Sequence, residues 1–494
     1  MSEYVVQTKS GRIKGYERSG IIEYLGIPYA KPPVGPLRFK RAAAIDPWDD
    51  VFDAQEYGPV PVQFDKGEKK GSEDCLTINV QRPKTEECNL PVIVYFYGGG
   101  YNTGSASDPL YNGLSFAKDG LVFVSFQYRL NVLGFYDFTT YPGCEDFESN
   151  CGLSDQLLAM QWIHDNIRAF GGDPDRITIF GESAGGASVV NMLAAPKAKG
   201  LFSQAIIQSA LPNCVMTHHT ARQNIDIFLE AMGWDDDEIA SHLKHDDPYT
   251  FFKGNEEVAR RHQYKNPGMF LPGPVQDDLL PIRPLDAIRG GSSAGVKIII
   301  GTTKHEGTMF VYPENTGFPN SYGMISEMLE RNGHAAAIPD FISYYENNGN
   351  EFGPFVNFAT DYAFKVPAVK LAKGQKQWND DVWMYSYELV TKGLSLVDFG
   401  ATHASELPAV FAVRSHEFSN MVFDGENSDL FEEISARIHG DWVRFAKEGT
   451  PDEKWERFSG DESVIRIYDR TTEDAMVDRS ELMGLWKDLR FWER

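Results

Sequence analysis

A serine between glycines, at the end of a short apolar run, is the strongest chemical signal in this sequence. Positions 170–186 read FGGDPDRITIFGESAGG, and the run 177–180 ends in the turn that holds Ser183. Such a turn projects the hydroxyl from a strand end, beside a helix N-terminus that favours negative charge. Gly181 and Gly185 lack the Cβ atoms that would collide as strand and helix close up. We therefore predict a nucleophilic serine; the alternative is an ordinary structural turn.

A serine nucleophile needs a base, and the base needs a carboxylate to orient it. One known chain order places the acid after the serine and the histidine last. Glu306 lies in GTTKHEG, directly after the apolar run VKIIIG, where a sheet would deliver an acid to its edge. Asp277 and Asp278 are rivals, although no buried strand clearly precedes them. We predict Glu306 as the acid.

Four histidines follow this acid in the chain: His334, His403, His416 and His439. His403 lies in FGATHASELPAVF, a loop of small residues that permits close approach, after the strand-like VWMYSYEL. His439 falls in a predicted C-terminal helix, which favours a packing or surface role. His305 adjoins Glu306, but neighbouring side chains usually diverge and the chain order would be wrong. We predict His403 as the base and His305 as a local loop residue.

A tetrahedral intermediate also needs hydrogen-bond donors for its oxyanion. Gly98, Gly99 and Gly100 follow the apolar run LPVIVYFY and would let backbone amides face the reaction centre unobstructed. The amide of Ala184, next after the serine, would be a further donor. A phosphate-binding loop is the alternative, but neither GxxxxGK[ST] nor GxGxxG spacing is present.

The elements that must position these residues form a regular series. Apolar, β-branched runs of this kind predict a mostly parallel sheet covered on both faces; they span 90–97, 121–128, 177–180, 205–208 and 296–301. The run 382–389 alternates more and is expected as a later strand of the same sheet. Helical spacing in LSDQLLAMQWIHDNIRAFGG predicts a helix before the serine strand. Stretches 213–270 and 310–380 are helix-like and charged, so we expect cap or regulatory excursions within a single domain, 1–494.

Composition excludes several classes of function. The formal charge is -24 at pH 7, which makes binding to nucleic acid or to an anionic membrane unfavourable. No apolar stretch approaches a membrane span, and the polar start does not resemble a secretion signal. Five cysteines fit free thiols in the cytoplasm, although Cys144 and Cys151 could pair. No spacing suggests a metal site, and we expect no cofactor.

Several long segments resemble the type-B carboxylesterase and cholinesterase family. They are FGGDPDRITIFGESAGG, SEDCLTINVQRP, YLGIPYAKPPVGPLRF, YFYGGGYNTGS, YRLNVLGF and CGLSDQLLAMQWIHDNI, with GTTKHEG and ATHASELPAVF further on. The resemblance implies an α/β-hydrolase fold, in which helices flank a mostly parallel central sheet, and a mechanism through an acyl-serine. It implies a catalytic triad of Ser183, Glu306 and His403. It also implies an oxyanion hole formed by Gly99, Gly100 and Ala184.

The same resemblance assigns three structural or supporting roles. Glu182 would lie in the pocket and stabilise the imidazolium. Arg38 with Glu73, and Arg129 with Asp173, would form buried ion pairs. Secreted members of the family pair the cysteine of the EDCL motif with an upstream cysteine, but no cysteine precedes Cys75 here. The segment FDKGEKKG also lacks the tryptophan that binds choline in cholinesterases. The resemblance is therefore to bacterial, para-nitrobenzyl-esterase-like members rather than to cholinesterases.

Together these features predict a serine carboxylesterase acting on small esters with short or medium acyl, or aryl, groups. Pocket walls are expected from Tyr101, Phe270, Met309 and Phe310, for which core packing is the alternative. Activity should fall below about pH 6 to 7 because the base must be neutral. A thioesterase, an amidase and a catalytically silent binding protein stay open. We expect a monomer or a homodimer.

Overall fold

A large mixed sheet forms the centre of the protein. The structure is a computed structural model that describes residues 4–265, 272–311 and 318–491. The sheet strands are β1 Tyr4–Gln7, β2 Arg12–Arg18, β3 Ile21–Pro28, β4 Val51–Asp53, β7 Thr77–Pro83, β8 Leu90–Phe96, β9 Val122–Phe126, β10 Gly172–Glu182, β11 Gln204–Gln208, β12 Lys297–Thr303, β13 Val382–Tyr387, β14 Glu462–Tyr468 and β15 Thr472–Asp478. A separate hairpin consists of β5 Gln63–Asp65 and β6 Glu68–Lys70.

The central strands of the sheet run parallel. Their order is β9-β8-β10-β11-β12-β13-β14, with β1, β2, β3 and β7 antiparallel at one edge and β15 antiparallel at the other. Ile179 of β10 pairs with Val94 on one side and Ala205 on the other. Every residue of β8 is buried, as expected of a parallel strand covered on both faces. The six predicted strands are confirmed; the serine strand begins earlier than predicted.

Helices connect and cover the strands. They are α1 Leu114–Lys118, α2 Asn131–Phe135, α3 Cys151–Asn166, α4 Ala184–Ala194, α5 His218–Met232, α6 Ile239–His245, α7 Phe252–Lys265, α8 Pro284–Arg289, α9 Thr308–Val311, α10 Tyr322–Arg331, α11 Ile338–Asn347, α12 Pro354–Thr360, α13 Val366–Lys376, α14 Lys392–Leu396, α15 Leu407–Val410, α16 Glu417–Val422, α17 Ser428–Glu448 and α18 Ser480–Leu485. The predicted helix before the serine strand is α3. It continues as a 3₁₀ turn to Gly171, whose φ of 81° ends it.

The two predicted excursions are helical where the structure describes them. Helices α5, α6 and α7 occupy the first, and α10 to α13 the second, where a π-helical turn at Asp361–Lys365 joins α12 to α13. Helices α5 and α10 bury apolar side chains at helical spacing, Ile225 and Phe228 in α5 and Ile325 and Leu329 in α10. Within the described ranges, no helix is long and apolar enough to cross a membrane.

Two buried ion pairs were predicted, and one of them is wrong. Arg38 does bind Glu73 through both carboxylate oxygens, and it also donates to the carbonyls of Leu243 and Asp246. Arg129 instead binds Asp155 of α3, with Nε 2.8 Å and Nη2 2.6 Å from the carboxylate oxygens.

Asp173 lies elsewhere, near the exposed Arg168 at 3.7 Å. The backbone amide of Arg129 also donates a hydrogen bond to the Asp155 carboxylate, at 2.9 Å. Asp155 therefore binds both the side chain and the backbone of Arg129. All five cysteines are free thiols, so Cys144 and Cys151 are not joined.

Candidate active site

Ser183 lies in a strained turn between β10 and α4. Its φ of 59° and ψ of -123° fall outside the region that L-residues ordinarily adopt. The turn closes tightly: a Cβ on Gly185 would lie 2.0 Å from the carbonyl oxygen of Phe96, and one on Gly181 would lie 2.5 Å from the backbone of Gly185. Glycine is therefore required at both positions, as the sequence predicts.

Glu306 lies three residues beyond β12, fully buried, with both carboxylate oxygens engaged. Oε1 accepts hydrogen bonds from the Ser209 hydroxyl at 2.6 Å and from the Thr303 amide at 2.7 Å. Oε2 lies 2.6 Å from Nδ1 of His403. Because a carboxylate only accepts, this bond places the imidazole proton on Nδ1 and leaves Nε2 with a lone pair in the neutral ring.

The other side of the His403 ring faces Glu182. Nε2 lies 3.0 Å from Glu182 Oε1, close enough for charge attraction but not aligned as a hydrogen bond. Within the described chain, Nε2 has no hydrogen-bond partner. The ring packs against Phe310 and Phe364, with centroid distances of 5.0 and 4.9 Å.

These neighbours set the titration of the imidazole. Burial alone would lower the pKa of His403, but the carboxylates of Glu182 and Glu306 outweigh it and raise that pKa well above its usual value. Burial raises the pKa of Glu182; the imidazole of His403 opposes this shift and Glu306 adds to it. The site therefore favours the imidazolium form.

Three backbone amides near the serine are free to donate. Gly99 and Gly100 follow β8 with φ values of 117° and 61°, and a Cβ on Gly99 would lie 2.2 Å from the carbonyl oxygen of Thr103. In the described parts of the chain, the amides of Gly99, Gly100 and Ala184 donate no hydrogen bond to protein. Such unpaired amides are suited to an anionic oxygen.

A cavity of about 640 Å³ joins these groups. Its wall includes Ser183, His403, Glu182 and the three amide residues. It also includes apolar and aromatic side chains: Leu110, Tyr111, Leu211, Met309, Phe310, Phe318, Leu407 and Phe418. Tyr101 lines it too, and its hydroxyl lies 3.2 Å from Ser188 Oγ. Of the predicted pocket residues, Phe270 falls outside the described residues.

A family model described as the carboxylesterase family matches residues 2–483. The chain belongs to the carboxylesterase family. It has the α/β-hydrolase fold, and its activity is the hydrolysis of carboxylic esters as a serine hydrolase. The predicted resemblance, fold and class of activity are thereby confirmed.

Individual relatives of this carboxylesterase agree. The para-nitrobenzyl esterase of Bacillus subtilis is 34% identical over 91% of this chain and 91% of its own length. The phenmedipham hydrolase of Pseudarthrobacter oxydans is 31% identical over 94% of each chain. A solved structure named PNB esterase superposes with a TM-score of 0.85 at 32% identity, covering 97% of this chain and 99% of the other.

The rival acids and two of the rival histidines have partners other than Glu306 and His403. Asp277 and Asp278 both bind Arg41, at 2.8 and 2.6 Å. His334 contacts the backbone of Arg490, and His439 bonds the Val410 carbonyl from inside α17. The cavity of the carboxylesterase does include His416, whose Nε2 lies 3.3 Å from Asp108 at the wall.

A third buried carboxylate was not predicted from the sequence. Glu406 follows His403 by three residues, and its Oε1 accepts from Gln208 Nε2 at 3.1 Å. Burial, reinforced by the charges of Glu182 and Glu306, raises the pKa of Glu406 to about 8. The segment ATHASELPAVF contains it, but nothing in that pattern tells an inward side chain from an outward one.

Among residues 4–265, 272–311 and 318–491, no group of three His, Cys, Asp or Glu side chains is arranged to hold a metal ion. The cavity wall includes the Ser183 hydroxyl, the imidazoles of His403 and His416, the Cys214 thiol and the carboxylates of Asp108 and Glu182.

Proposed function

We propose that Ser183, His403 and Glu306 act as nucleophile, base and orienting acid in ester hydrolysis. The observation that carries the proposal is the 2.6 Å contact between His403 Nδ1 and Glu306. Among the described residues, Nε2 of this imidazole has no hydrogen-bond partner, and His403 lines the same cavity as Ser183. The order serine, acid, histidine also fits an α/β-hydrolase.

In the acylation step, His403 Nε2 takes the Ser183 proton as the oxygen attacks the ester carbonyl. The negative charge moves to the carbonyl oxygen, which the amides of Gly99, Gly100 and Ala184 stabilise. The C–O bond to the alcohol then breaks, and the imidazolium donates its proton to the leaving alkoxide. Glu182 and Glu306 stabilise that imidazolium.

In the deacylation step, His403 accepts a proton from water while the water oxygen attacks the acyl-serine. The serine oxygen leaves and regains the proton from the imidazolium, so the acid is released and the protein is unchanged. Every proton transfer uses the same nitrogen, and no metal or cofactor takes part.

The proposed substrates are small esters with short or medium acyl chains, or aryl esters. A cavity of about 640 Å³ is the size of ordinary small-ligand sites, and its wall is largely apolar. The first helical excursion contributes Ala259 of α7 to that wall, and the second contributes Phe318. Met309, just before the second excursion, also lines it. We therefore also propose that both helical excursions act as caps on a single domain.

A reducing, cytoplasmic setting is proposed for the carboxylesterase. Its five cysteines form no disulfide. Four of them are buried, and burial raises the pKa values of the Cys75, Cys144, Cys151 and Cys214 thiols, which keeps them protonated and unreactive. Whether the protein works as a monomer or a homodimer stays a prediction.

The Ser183→Ala variant tests the proposed nucleophile. On para-nitrophenyl esters of increasing acyl length, kcat should fall by about 10⁴-fold or more, with the melting temperature unchanged. Matched thioester and anilide substrates, run with the wild type, separate a thioesterase or an amidase from an esterase.

Covalent labelling supplies the independent readout. A fluorophosphonate should label the wild type once and leave Ser183→Ala unlabelled, while Ser395→Ala, in helix α14 and not among the residues that line the cavity, serves as a labelled control. Full turnover by Ser183→Ala, or no labelling of the wild type, would reject the proposal. The second result would favour a silent binding protein.

A further inference from the structure

His305 connects the loop of Glu306 to the loop of His403 by two reciprocal hydrogen bonds. Its backbone amide donates to the Ala401 carbonyl at 2.9 Å, and the Ala401 amide donates to His305 Nδ1 at 3.1 Å. His305 is the residue before Glu306, and Ala401 precedes His403 by two. The two bonds therefore fix how the acid and the base face each other.

The bond to Nδ1 defines the state of the ring. A nitrogen that accepts from an N–H carries no proton, so the neutral ring holds its proton on Nε2. Protonation of Nδ1 would set two buried donors against each other. Burial lowers the pKa of His305 to about 4, which keeps the ring neutral at ordinary pH.

Charged groups around His305 partly oppose each other. Nε2 lies 3.4 Å from Oε1 of Glu351, on the loop between α11 and α12, and makes no hydrogen bond within the described chain. Glu351 and Glu388 act to raise the pKa of His305, whereas Lys304 and Lys365 act to lower it. Burial outweighs all of them.

The surroundings leave the ring little freedom. Its centroid lies 4.8 Å from that of Phe352. Gly400 has a φ of 60°, and a Cβ there would lie 2.5 Å from His305 Nδ1 and 2.7 Å from the Phe352 ring. On the other side, the Thr308 hydroxyl lies 2.8 Å from the His305 carbonyl and 2.7 Å from that of Phe399. The loop of His403 is thus built around this histidine.

We propose that His305 is a positioning residue for catalysis, holding the loop of His403 in register with Glu306 through the acceptor at Nδ1. The inference rests on the proposed roles of Glu306 and His403. It assigns a function to a histidine that touches neither the cavity nor the substrate. A displacement of the imidazole by about 1 Å would cost up to roughly 100-fold in rate.

Two amide variants separate this role from simple packing. In His305→Asn, the side-chain oxygen can occupy the place of Nδ1 and accept from Ala401, whereas the longer His305→Gln places its amide near Nε2. We expect Asn to keep kcat within about threefold and Gln to lose about 10- to 100-fold, both with KM nearly unchanged. The low-field proton signal of His403 Nδ1–H should persist in Asn and weaken in Gln.

His439→Gln is the matched control, because His439 of α17 is buried and its Nδ1 lies 2.8 Å from the Val410 carbonyl of α15. It should lower the melting temperature while leaving kcat intact. Equal kcat values in the Asn and Gln variants, whether both high or both low, would overturn the positioning role. Ser183→Ala distinguishes this failure from that of the triad itself, since it is inactive if the triad is right, whatever the His305 variants do.

Discussion

The imidazole of His403 lies between two carboxylates with different surroundings. Glu306 receives two hydrogen bonds besides that of the ring, from Ser209 and Thr303, so it is held in one orientation. Glu182 Oε1 has no hydrogen bond in the described part of the chain and lies 3.0 Å from Nε2. The first carboxylate can orient the ring, whereas the second acts mainly through its charge.

This difference predicts the effect of Glu182→Gln on the pH profile. A carboxylate close to an imidazole favours the charged ring and raises its pKa, so its removal should lower the pKa of His403. Because the proposed base, His403, works only when neutral, the acid limb of kcat/KM should move to lower pH by the same amount as this pKa. The wild-type limb should correspondingly lie above the range expected from an ordinary histidine.

The measurement is kcat/KM for a neutral para-nitrophenyl ester across the acid limb. Asn102→Asp, on the same cavity wall, is the comparison in which the charge changes in the opposite direction. That variant adds a negative charge and should move the limb the opposite way. An acid limb that stays in place or rises in Glu182→Gln would refute the electrostatic role of Glu182.

The elements of the sheet follow from the sequence more readily than the contacts between them. Runs such as LPVIVYFY are apolar at every position, and their short length and β-branched and aromatic residues favour a strand buried on both faces. Gly181 and Gly185, on either side of Ser183, are equally informative, because a turn that leaves no room for a Cβ at two such positions is uncommon. By contrast, the partner of Arg129 depends on how α3 packs, and local sequence carries no record of that.

The corrected ion pair gives a prediction about stability. Arg129 and Asp155 are both buried, so Asp155→Asn leaves a guanidinium without its counter-charge and should cost about 3 to 5 kcal/mol of unfolding free energy. Asp173→Asn removes a carboxylate 3.7 Å from an exposed arginine and should cost less than about 1 kcal/mol. Urea denaturation of both variants measures the difference; equal losses would contradict the assignment.

At the scale of the whole molecule, the sequence predicts charge and class but not the shape of the cavity. The net charge of -24 is a sum over residues and needs no fold. The cavity wall gathers residues from β-strand ends, α7, α9 and the loop after α15, whose meeting depends on long-range packing. Glu406 and His416 therefore became visible as neighbours of the site only in three dimensions.

The acidic field and the cavity wall together predict discrimination against anionic esters. Among the described residues that line the cavity there is no lysine or arginine, while Asp108 and Glu182 are present. An ester with a carboxylate on its acyl chain should show a kcat/KM about tenfold or more lower, at low salt, than the ester in which a neutral carboxamide replaces that carboxylate. Added NaCl should raise the value for the anionic ester through screening and leave the amide analogue nearly unchanged. Because the two substrates share size and leaving group, similar kcat/KM values at low salt would mean that the field does not reach the reacting ester.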